Sequence, residues 1–590
     1  MDNVTIARLL DETASLLEID AADPFRIRSY RRAAEAIEQQ TQQLAEIADD
    51  LKALLAIPGI GKGMSANVRD LILTGTMPLR NELLQKYRPT MLELLRLPGM
   101  GPKTVALLWS ALAIADIDAL EAAAKAGHLS ALPRFGQKLI DKITQGIDDY
   151  RKNSGRFRID AADETASRIA ALILAFPGID TVTPAGSLRR GRETVGDLDL
   201  LVTGPACEPE VVSAAVEHVA ALPLISQLIA KGQNKVSFLM RNNLQVDVRL
   251  LPRSTYGASL QYFTGSKMHN VSLRQRAIKQ GFTLSEYGLC RIDDNTLVAG
   301  ESEADVYAAL GMDYIPPELR ENNGELEAAA AHTLPQLITL ANIRGDVHMH
   351  TVATDGADTI VAMAEAALAR GLQYIAITDH SKNLSMTNGL DDARALEHIH
   401  QIRAVDTQMG GSIRVFAGIE VDILLDGSLD LADSTLAQMD VVVASIHSHF
   451  NLAPEAQTER ILRALDNPFL RILGHPTGRI LLRREPYPFD LDIVLRRAAE
   501  LGVAVEHNAA PARADLSDRN LRRAKELGCK ISVNTDAHAT GELDKMRFGI
   551  TQLRRAWLTA ADVLNTLDAE AFLSALRPRP VSSKETAHHA

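Results

Sequence analysis

The sequence predicts a multidomain chain with an all-α amino-terminal region, a central α+β domain and a carboxyl-terminal α/β barrel. Three observations predict it. Turns with paired glycines recur between amphipathic helical patterns near the amino terminus. Alternating strands that carry carboxylates follow, and then seven short apolar runs that end in histidine or carboxylate, separated by helical stretches. At 590 residues the chain is too long for one hydrophobic core.

Composition narrows the class of protein. A hydrophobic content of 46% with 4% aromatic residues, no apolar run long enough for a bilayer and no amino-terminal signal predict a cytoplasmic protein without a membrane partner. The formal net charge of −12 does not exclude nucleic acid, because DNA binding needs only a local basic face. Cys207, Cys290 and Cys529 lie far apart, which implies neither a disulfide framework nor a zinc knuckle.

The amino-terminal helices are interrupted by a repeated hairpin. Pro-Gly-Ile-Gly-Lys at 58–62 recurs as Pro-Gly-Met-Gly-Pro-Lys at 98–103 and, more faintly, before the helix that follows Gly136. Such glycines expose backbone N–H groups at a helix amino terminus, where a DNA phosphate can bind without sequence readout. We therefore predict DNA-binding regions at 1–85 and 86–152. The predicted DNA-binding residues in these hairpins are Gly59, Gly61, Lys62, Gly99, Gly101 and Lys103.

Three carboxylates lie on predicted strands in the central region. Asp197 and Asp199 alternate with apolar residues, and Asp247 does the same on a second strand. Like charges on one strand face repel unless a cation lies between them, and oxygen ligands suit Mg²⁺ or Mn²⁺. Ser187 and Arg190, just upstream, offer a hydroxyl and a guanidinium group to phosphate. The pattern predicts two-metal phosphoryl transfer.

These motifs resemble a known family. Gly-Ser-x-Arg-Arg-Gly at 186–191, Gly-Asp-x-Asp at 196–199 and Val-Asp-Val-Arg at 246–249 are similar to the palm of the family X DNA polymerases, the nucleotidyltransferase-fold group that contains DNA polymerase beta. The resemblance implies a palm at 153–255, a thumb-like nucleotide-selecting subdomain at 256–318 and a linker at 319–342. It also implies that Asp197, Asp199 and Asp247 are catalytic and bind two Mg²⁺ or Mn²⁺ ions.

The resemblance implies further contacts in the thumb-like subdomain. We expect Ser266 to cap a helix, which places Asn270 and Arg274 on one helix face. The family uses the matching residues to test base-pair shape, and Tyr262 would exclude ribonucleotides. Arg274 is expected to contact the template. The expected nucleotide-binding residues are Ser187, Arg190, Gly196, Tyr262, Phe263, Gly265, Lys267, Asn270 and Arg158.

The first helical segment resembles the small amino-terminal domain of polymerase beta. In that family this domain removes a deoxyribose phosphate through a lysine Schiff base. Counted along the helix from the first hairpin, Asn67 stands at the position of that lysine. Because an amide cannot form the imine, we expect the lyase activity to be absent or weak.

The seven carboxyl-terminal runs predict a (β/α)7 barrel with functional groups at the strand ends. His-x-His, Thr-Asp-His, Gly-His-Pro and Asp-Ala-His in this region resemble the polymerase and histidinol phosphatase (PHP) domain, expected at 343–578 before a tail at 579–590. Imidazole and carboxylate ligands without thiolate suit two or three ions of Mn²⁺, Zn²⁺ or Fe²⁺. The candidate ligands are His348, His350, Asp355, His380, Glu420, His447, His475, Asp536 and His538. Lys382 and Arg479 are candidates for a substrate phosphate.

The combined hypothesis is a monomeric, nucleoid-associated repair polymerase. It would fill gapped or primer–template DNA from dNTPs during base excision repair or end joining, with a Mn²⁺-dependent 3′→5′ exonuclease in the barrel. Two alternatives stay open at this point. The polymerase half could be an inactive DNA tether for a phosphoesterase, or the whole chain could be a non-catalytic scaffold that binds DNA ends.

Overall fold

The computed structural model forms two compact units, Met1–Arg156 and Phe157–Ala590. It describes residues 3–38, 44–48, 50–57, 59–88, 90–95, 97, 100–133, 135–153, 155–384, 387–482 and 484–576. The expected tail at 579–590 therefore lies outside the described residues. Among the helices that fall within these ranges, none combines the length and the apolar character that a membrane span requires.

The first unit is helical, as the sequence predicts. Its apolar stripes meet in one core that includes Leu10, Val68 and Leu108, each fully buried. The described part of this unit holds the α-helices α1 (Asn3–Ile19), α2 (Pro24–Glu38), α3 (Leu51–Ala56), α4 (Lys62–Thr74), α5 (Pro78–Lys86), α6 (Met91–Leu94), α7 (Pro102–Leu112), α8 (Ile117–Lys125) and α9 (Gln137–Asn153).

The glycine hairpins recur with one hydrogen-bonding pattern. Helices α4, α7 and α9 each begin directly after a glycine, and the carbonyl of that glycine accepts the backbone N–H four residues later. The three carbonyls belong to Gly61, Gly101 and Gly136, at N–O distances of 2.9, 3.0 and 3.2 Å. The turn before each glycine also repeats, because the backbone N–H groups of Ile60, Met100 and Phe135 donate to the carbonyls three residues earlier, at 3.1, 3.1 and 3.2 Å. The faint third copy therefore shares the turn of the first two.

A five-stranded sheet in the order β2-β4-β7-β6-β5 forms the α+β domain at the start of the second unit. Its apolar face is buried, and Leu198, Leu200 and Val248 are among its core residues. The elements of this domain are β1 (Phe157–Arg158), α10 (Ile159–Leu174), β2 (Thr181–Pro184), α11 (Gly186–Arg189), β3 (Thr194–Val195), β4 (Asp197–Thr203), α12 (Val212–Ala220), β5 (Ile225–Lys231), β6 (Lys235–Met240) and β7 (Gln245–Leu250).

A smaller subdomain of helices and a three-stranded sheet follows. Its elements are α13 (Arg253–Thr264), α14 (Lys267–Lys279), β8 (Phe282–Ser285), β9 (Gly288–Arg291), β10 (Leu297–Ala299), α15 (Glu303–Ala309) and α16 (Glu325–Ala330). The segment 319–342, which the sequence suggested as a linker, packs against this subdomain. Leu326 and Ala329 of α16 share a core with Leu273 of α14, because the alanine-rich run forms a helix with one buried face.

The last part of the chain folds as a parallel β/α barrel with seven strands, which confirms the predicted fold. Neighbouring strands follow one another in chain order, and a bridge between Met349 and Ala537 links the first strand to the last. The strands are β11 (Gly345–Asp346), β12 (Tyr374–Ile377), β13 (Arg414–Asp422), β14 (Val441–Ser445), β15 (Ile472–Leu473), β16 (Ala504–Asn508) and β17 (Ile531–Asn534). The helices are α17 (Ile360–Ala369), α18 (Asp392–Gln408), α19 (Asp433–Leu436), α20 (Pro454–Leu465), α21 (Leu491–Leu501), α22 (Asp518–Glu526), α23 (Met546–Arg555) and α24 (Ala569–Ala575).

Candidate active sites

Three aspartates lie on one face of the α+β sheet, on the neighbouring inner strands β4 and β7. Strands β4 and β7 are parallel, and their register places Asp199 directly beside Asp247. Asp197 lies one alternation earlier on β4 and is exposed. The apolar residues between the carboxylates point into the core, so the predicted alternation explains why the carboxylates share the opposite face.

The electrostatics of this carboxylate group favour a cation. Burial, together with the neighbouring carboxylates of Asp197 and Asp247, raises the pKa of Asp199 to about 6. Burial alone would also raise the pKa of Asp247, but hydrogen bonds from Ser237 and Lys235 hold it below its usual value. In the described part of the chain, Oδ1 of Asp247 is buried without a hydrogen-bond partner. A buried carboxylate oxygen without a hydrogen-bond partner, beside two further carboxylates, fits a divalent metal ion.

The turn that carries Ser187 lies against these carboxylates. Gly186 has a φ of +58°, and a Cβ atom on it would lie 2.7 Å from Oδ2 of Asp199. The backbone N–H of Ala185 donates to the carbonyl of Asp199 at 2.8 Å. Glycine is therefore required at 186 both for its left-handed backbone and for this close approach. The half-buried Ser187 follows it in α11, and Gly196 is exposed directly before β4.

The two arginines expected at the triphosphate both have carboxylate partners. Nε of Arg190 donates to Glu321 at 3.1 Å, and Nη1 donates to the carbonyl of Thr264 at 2.5 Å. Arg158 forms an ion pair with Asp160 at 2.9 Å. Nothing in the local sequence pattern pointed to Glu321, because it lies 131 positions from Arg190 in the chain.

The expected nucleotide-selecting residues cluster on α13 and α14. The Ser266 side chain accepts the backbone N–H of His269, so Ser266 is the predicted helix cap. Asn270 is buried, donates to the carbonyl of Tyr262 at 2.7 Å and accepts from Gln261 at 2.8 Å. It is therefore fixed in place by α13 and does not lie on an exposed polar face.

The remaining thumb residues flank Asn270. The ring centroids of Tyr262 and Phe263 lie 5.0 Å apart in an edge-to-face arrangement. Gly265 has a φ of +68° and lies next to Nη1 of Arg190. Nε of Arg274 donates to the carbonyl of Asn270 at 3.3 Å. Lys267 is exposed at the start of α14.

In the first unit, Gly61 and Gly101 are the residues directly before α4 and α7, and Gly59 has a φ of +94°. Lys62 and Lys103 are both exposed. The expected DNA contact Gly99 lies outside the described residues. These positions present backbone N–H groups at two helix amino termini.

Asn67 faces the interior of its unit. Its Nδ2 donates to the hydroxyl of Tyr30 at 2.7 Å, which ties α4 to α2. The position that the resemblance assigns to a Schiff-base lysine is thus occupied by an amide with a structural hydrogen bond.

The barrel brings all nine predicted ligands together at the carboxyl ends of its strands. Three overlapping groups have ligand atoms within 4.8 Å of one another. The first contains His350, Asp355, His380 and His538; the second His348, His350 and Asp536; the third His380, Glu420 and His447. The ninth residue, His475, lies 2.9 Å from Glu420 through its Nε2. The backbone of His475 and of Asp536 has positive φ, at +22° and +53°, as is common where a site constrains the chain.

Two carboxylates outside the predicted set orient these histidines. Nδ1 of His348 lies 2.7 Å from Glu506, and Nδ1 of His447 lies 2.6 Å from Asp422. Among the described residues, Nε2 of His348 and Nε2 of His447 are buried without hydrogen-bond partners. In metal-binding histidines, one ring nitrogen typically bonds to a carboxylate and the other binds the metal. His348 and His447 have this arrangement, so the residues fit a metal centre.

The sequence offered a signal for both carboxylates. Glu506 ends one of the seven apolar runs, and Asp422 follows Glu420 by two positions, on the same strand face. Burial alone would raise the pKa of Glu420, but His447 and His348 hold it well below its usual value.

The two phosphate candidates of the barrel are both engaged. Arg479 is almost fully buried, donates to the carbonyl of Arg513 and forms an ion pair with Glu193 of the α+β domain, so it holds structure and is not free for a substrate. Lys382 lies 3.6 Å from Asp392. Arg513, which the sequence patterns did not single out, reaches the metal cluster: its Nε lies 3.2 Å from Oδ2 of Asp536.

Four family descriptions match the chain in an order that follows this architecture. A helix-hairpin-helix domain matches residues 1–77, and a SAM-like helix-hairpin-helix tandem matches 91–149. The DNA polymerase beta thumb matches 259–321, and the PHP domain matches 346–484. Fold and sites thus define a class of protein in which a polymerase beta-like core and a PHP metal barrel share one chain.

Curated relatives narrow this class. A protein of Bacillus subtilis named DNA polymerase/3′-5′ exonuclease PolX is 38% identical over 578 residues, which cover 97% of this chain and 99% of that protein. The chain therefore belongs to the PolX family of DNA polymerases, the family X members with a carboxyl-terminal PHP domain. A probable phosphatase of Thermoanaerobacter sp. is 32% identical over 232 residues, covering 38% of this chain and 89% of that protein. A probable phosphatase of Syntrophotalea carbinolica is 29% identical over 231 residues, covering 37% and 90%.

Proposed function

We propose that the chain is a DNA-directed DNA polymerase that fills short gaps during base excision repair or end joining and trims 3′ ends with a 3′→5′ exonuclease in its barrel. One observation carries the proposal. Three aspartates on two neighbouring strands and nine clustered candidate ligands in the barrel occur in one chain, which matches a polymerase/exonuclease along nearly its whole length.

At the polymerase centre Asp197, Asp199 and Asp247 would hold two Mg²⁺ or Mn²⁺ ions. Such ions supply charge neutralisation at the triphosphate and a lowered pKa for the attacking hydroxyl. The buried Oδ1 of Asp247, which has no hydrogen-bond partner among the described residues, and the raised pKa of Asp199 support this role, because a cation would give the first a partner and offset the mutual repulsion that raises the second. Asp247 would also help to remove the proton from the primer 3′-hydroxyl.

The triphosphate would bind beside α11. Ser187 and Arg190 would contact its oxygens, and Arg190 would exchange its bond with Glu321 for phosphate. Tyr262 would exclude ribonucleotides, and Asn270 and Arg274 would contact the nascent and template bases. The other proposed nucleotide contacts are Gly196, Phe263, Gly265, Lys267 and Arg158.

The barrel would bind two or three metal ions, with Mn²⁺ favoured over Zn²⁺ or Fe²⁺. Ions held by these ligands supply a nucleophilic water and neutralise the phosphodiester. The chain contributes orientation: Glu506 and Asp422 hold the rings of His348 and His447 through Nδ1, and His350 and His380, which each belong to two ligand groups, would be shared between neighbouring ions. Trimming of 3′-phosphates or abasic sites is compatible with the same centre.

The substrates would be gapped or primer–template DNA and dNTPs, handled by a monomer in the cytoplasm near the nucleoid. Backbone N–H groups at the hairpins of α4 and α7, with Lys62 and Lys103, would hold the DNA phosphates. We expect weak, strongly salt-dependent binding from such contacts.

A second function is favoured by one observation, the similarity of the barrel to probable phosphatases. In that case the barrel would act on small phosphate monoesters and the front half would only bind DNA.

A gapped primer–template assay with Mg²⁺ and then Mn²⁺, with and without dNTPs, tests both proposals. Our proposal predicts primer extension that needs dNTPs, and primer shortening with Mn²⁺ when dNTPs are omitted. A purified protein that extends no primer under either metal, yet hydrolyses small phosphate monoesters, would support the second function instead.

A further inference from the structure

The turn that follows α11 is held by the barrel. Helix α23 of the barrel lies against it: Nε2 of Gln552 donates to the carbonyl of Gly191 at 2.7 Å, and Nη1 of Arg555 donates to the carbonyl of Arg190 at 2.6 Å. A Cβ atom on Gly191 would overlap the methyl group of Thr551. The segment that leads to the polymerase carboxylates is therefore packed against the barrel.

One ion pair continues this contact into the barrel. Glu193, four residues before Asp197, accepts from both terminal nitrogens of Arg479, at 2.5 and 3.2 Å. The side chains are only 21% and 12% exposed, so removal of the carboxylate would leave a nearly buried guanidinium without its counter-charge.

Arg479 uses its other donors on a single turn of the barrel. Its Nε donates to the carbonyl of Arg513 at 3.1 Å, and Nη2 donates to the carbonyl of Ala514. Ala514 has a φ of +45°, a conformation that an alanine adopts only when its surroundings impose it. The Arg479 guanidinium thus fixes the position of the turn 513–516.

That turn contacts the metal ligands from two sides. Nε of Arg513 lies 3.2 Å from Oδ2 of Asp536, whose other oxygen faces His350 at 3.1 Å. The carboxylate of Asp515 accepts the backbone N–H of Thr477 at 3.0 Å, two residues after the ligand His475. A shift of the turn would move both ligands.

We propose that Glu193 is a positioning residue for the metal centre of the barrel, acting through Arg479 and the turn 513–516 on Asp536 and His475. The inference rests on the proposed metal-dependent nuclease. The α+β domain would thus help to shape the nuclease site, in addition to any role in DNA binding. The same role accounts for the orientation of Glu193, which lies four residues before Asp197 in the sequence but pairs with Arg479 of the barrel.

The test measures Mn²⁺ binding directly. Free Mn²⁺ is titrated by electron paramagnetic resonance in a full-length chain carrying D197N and D199N, which removes the proposed polymerase ions from the count. We expect Glu193→Ala to raise the dissociation constant of the barrel ions by about fivefold, and Glu193→Gln, which keeps an acceptor for Arg479, by about twofold. Glu217→Ala removes an exposed carboxylate of the same domain that pairs with Lys231, and should leave binding unchanged.

The outcomes separate the inference from the function on which it rests. Unchanged Mn²⁺ affinity in both Glu193 variants would overturn the positioning role. If Glu217→Ala weakened Mn²⁺ binding as well, the positioning role of Glu193 would also be overturned. Loss of any negative charge in the domain would then be enough to lower the Mn²⁺ affinity. Absence of Mn²⁺-dependent primer shortening by the unmodified chain would contradict the nuclease proposal, and the titration would still decide whether Glu193 supports the metal centre.

Discussion

Gly186 and Asp199 lie so close that the glycine has no room for a side chain. A Cβ atom at 186 would lie 2.7 Å from Oδ2 of Asp199. We expect Gly186→Ala to displace this carboxylate and to lower the rate of primer extension by about 10- to 100-fold, since small displacements of catalytic groups have effects of that size. Steady-state extension kinetics measure it.

The matched control for this variant is Gly232→Ala in the same domain. A Cβ atom there would meet its nearest neighbour at 3.8 Å, an ordinary contact. Extension by Gly232→Ala should equal that of the unmodified chain. Equal extension by Gly186→Ala would show that Asp199 tolerates displacement or does not act in the reaction.

The raised pKa of Asp199 predicts a pH-dependent cost to stability. Its pKa is about 6 in the folded chain and 3.8 as the reference value, so the folded state binds the proton more tightly. Protonated Asp199 therefore contributes to the free energy of unfolding at low pH, and this contribution is lost as pH rises from about 3.8 to about 6. Without metal, Asp199→Asn should therefore stabilise the chain by about 2 to 3 kcal/mol at pH 7.5 and by about 1 kcal/mol at pH 4.5, where only part of the cost has developed. Thermal unfolding at both pH values checks this.

Glu210→Gln, which changes an exposed carboxylate of the same domain, provides the comparison for Asp199→Asn. Its unfolding temperature should stay within error of the parent at both pH values. A stabilisation by Asp199→Asn that is as large at pH 4.5 as at pH 7.5 would contradict the assignment of the raised pKa to Asp199.

Local periodicity explains what could be predicted from the sequence. The alternation around Asp197 and Asp199 lies within one strand, and the barrel ligands each follow an apolar run, so short windows contain the signal. The fold classes of all three regions and the family followed from such windows and are confirmed.

What the sequence could not supply depends on packing between distant segments. Glu321 meets Arg190 across 131 positions, and Arg479 meets Glu193 across 286. The segment 319–342 was expected to be a linker, but its Leu326 is buried in the core of the preceding subdomain. No short pattern encodes these contacts, because each depends on how two elements meet in the fold.

The orientation of His348 by Glu506 gives a prediction for the barrel. Because a glutamine at 506 carries no charge and could present an amide nitrogen to Nδ1, Glu506→Gln should lower the Mn²⁺ affinity of the nuclease by about 10- to 100-fold. The Mn²⁺ dependence of primer shortening measures this. Activity should return at higher Mn²⁺, because the metal ligands themselves remain.

Glu500→Gln is the control for this change, since Glu500 is exposed on α21 and pairs with Arg497 of the same helix. It should leave the Mn²⁺ dependence unchanged. If Glu506→Gln shortened primers with the metal dependence of the unmodified chain, Glu506 would have no part in setting the metal centre.

The hydrogen bond from Asn67 to Tyr30 bears on the lyase activity. An amide at this position cannot form an imine, so borohydride should trap little or no covalent complex between the chain and an abasic substrate. Denaturing gel electrophoresis after borohydride treatment measures the complex. Strong trapping that persists in a Lys62→Ala, Lys103→Ala variant would contradict the prediction, because a different lysine would then supply the amine.

The central claim is that two separate metal centres perform two opposite reactions at a primer end. It is tested most directly by comparing primer extension and primer shortening in two full-length variants. Asp197→Ala combined with Asp199→Ala should abolish extension and leave Mn²⁺-dependent shortening intact, and His348→Ala should do the reverse. Loss of both reactions in either well-folded variant would contradict two independent centres.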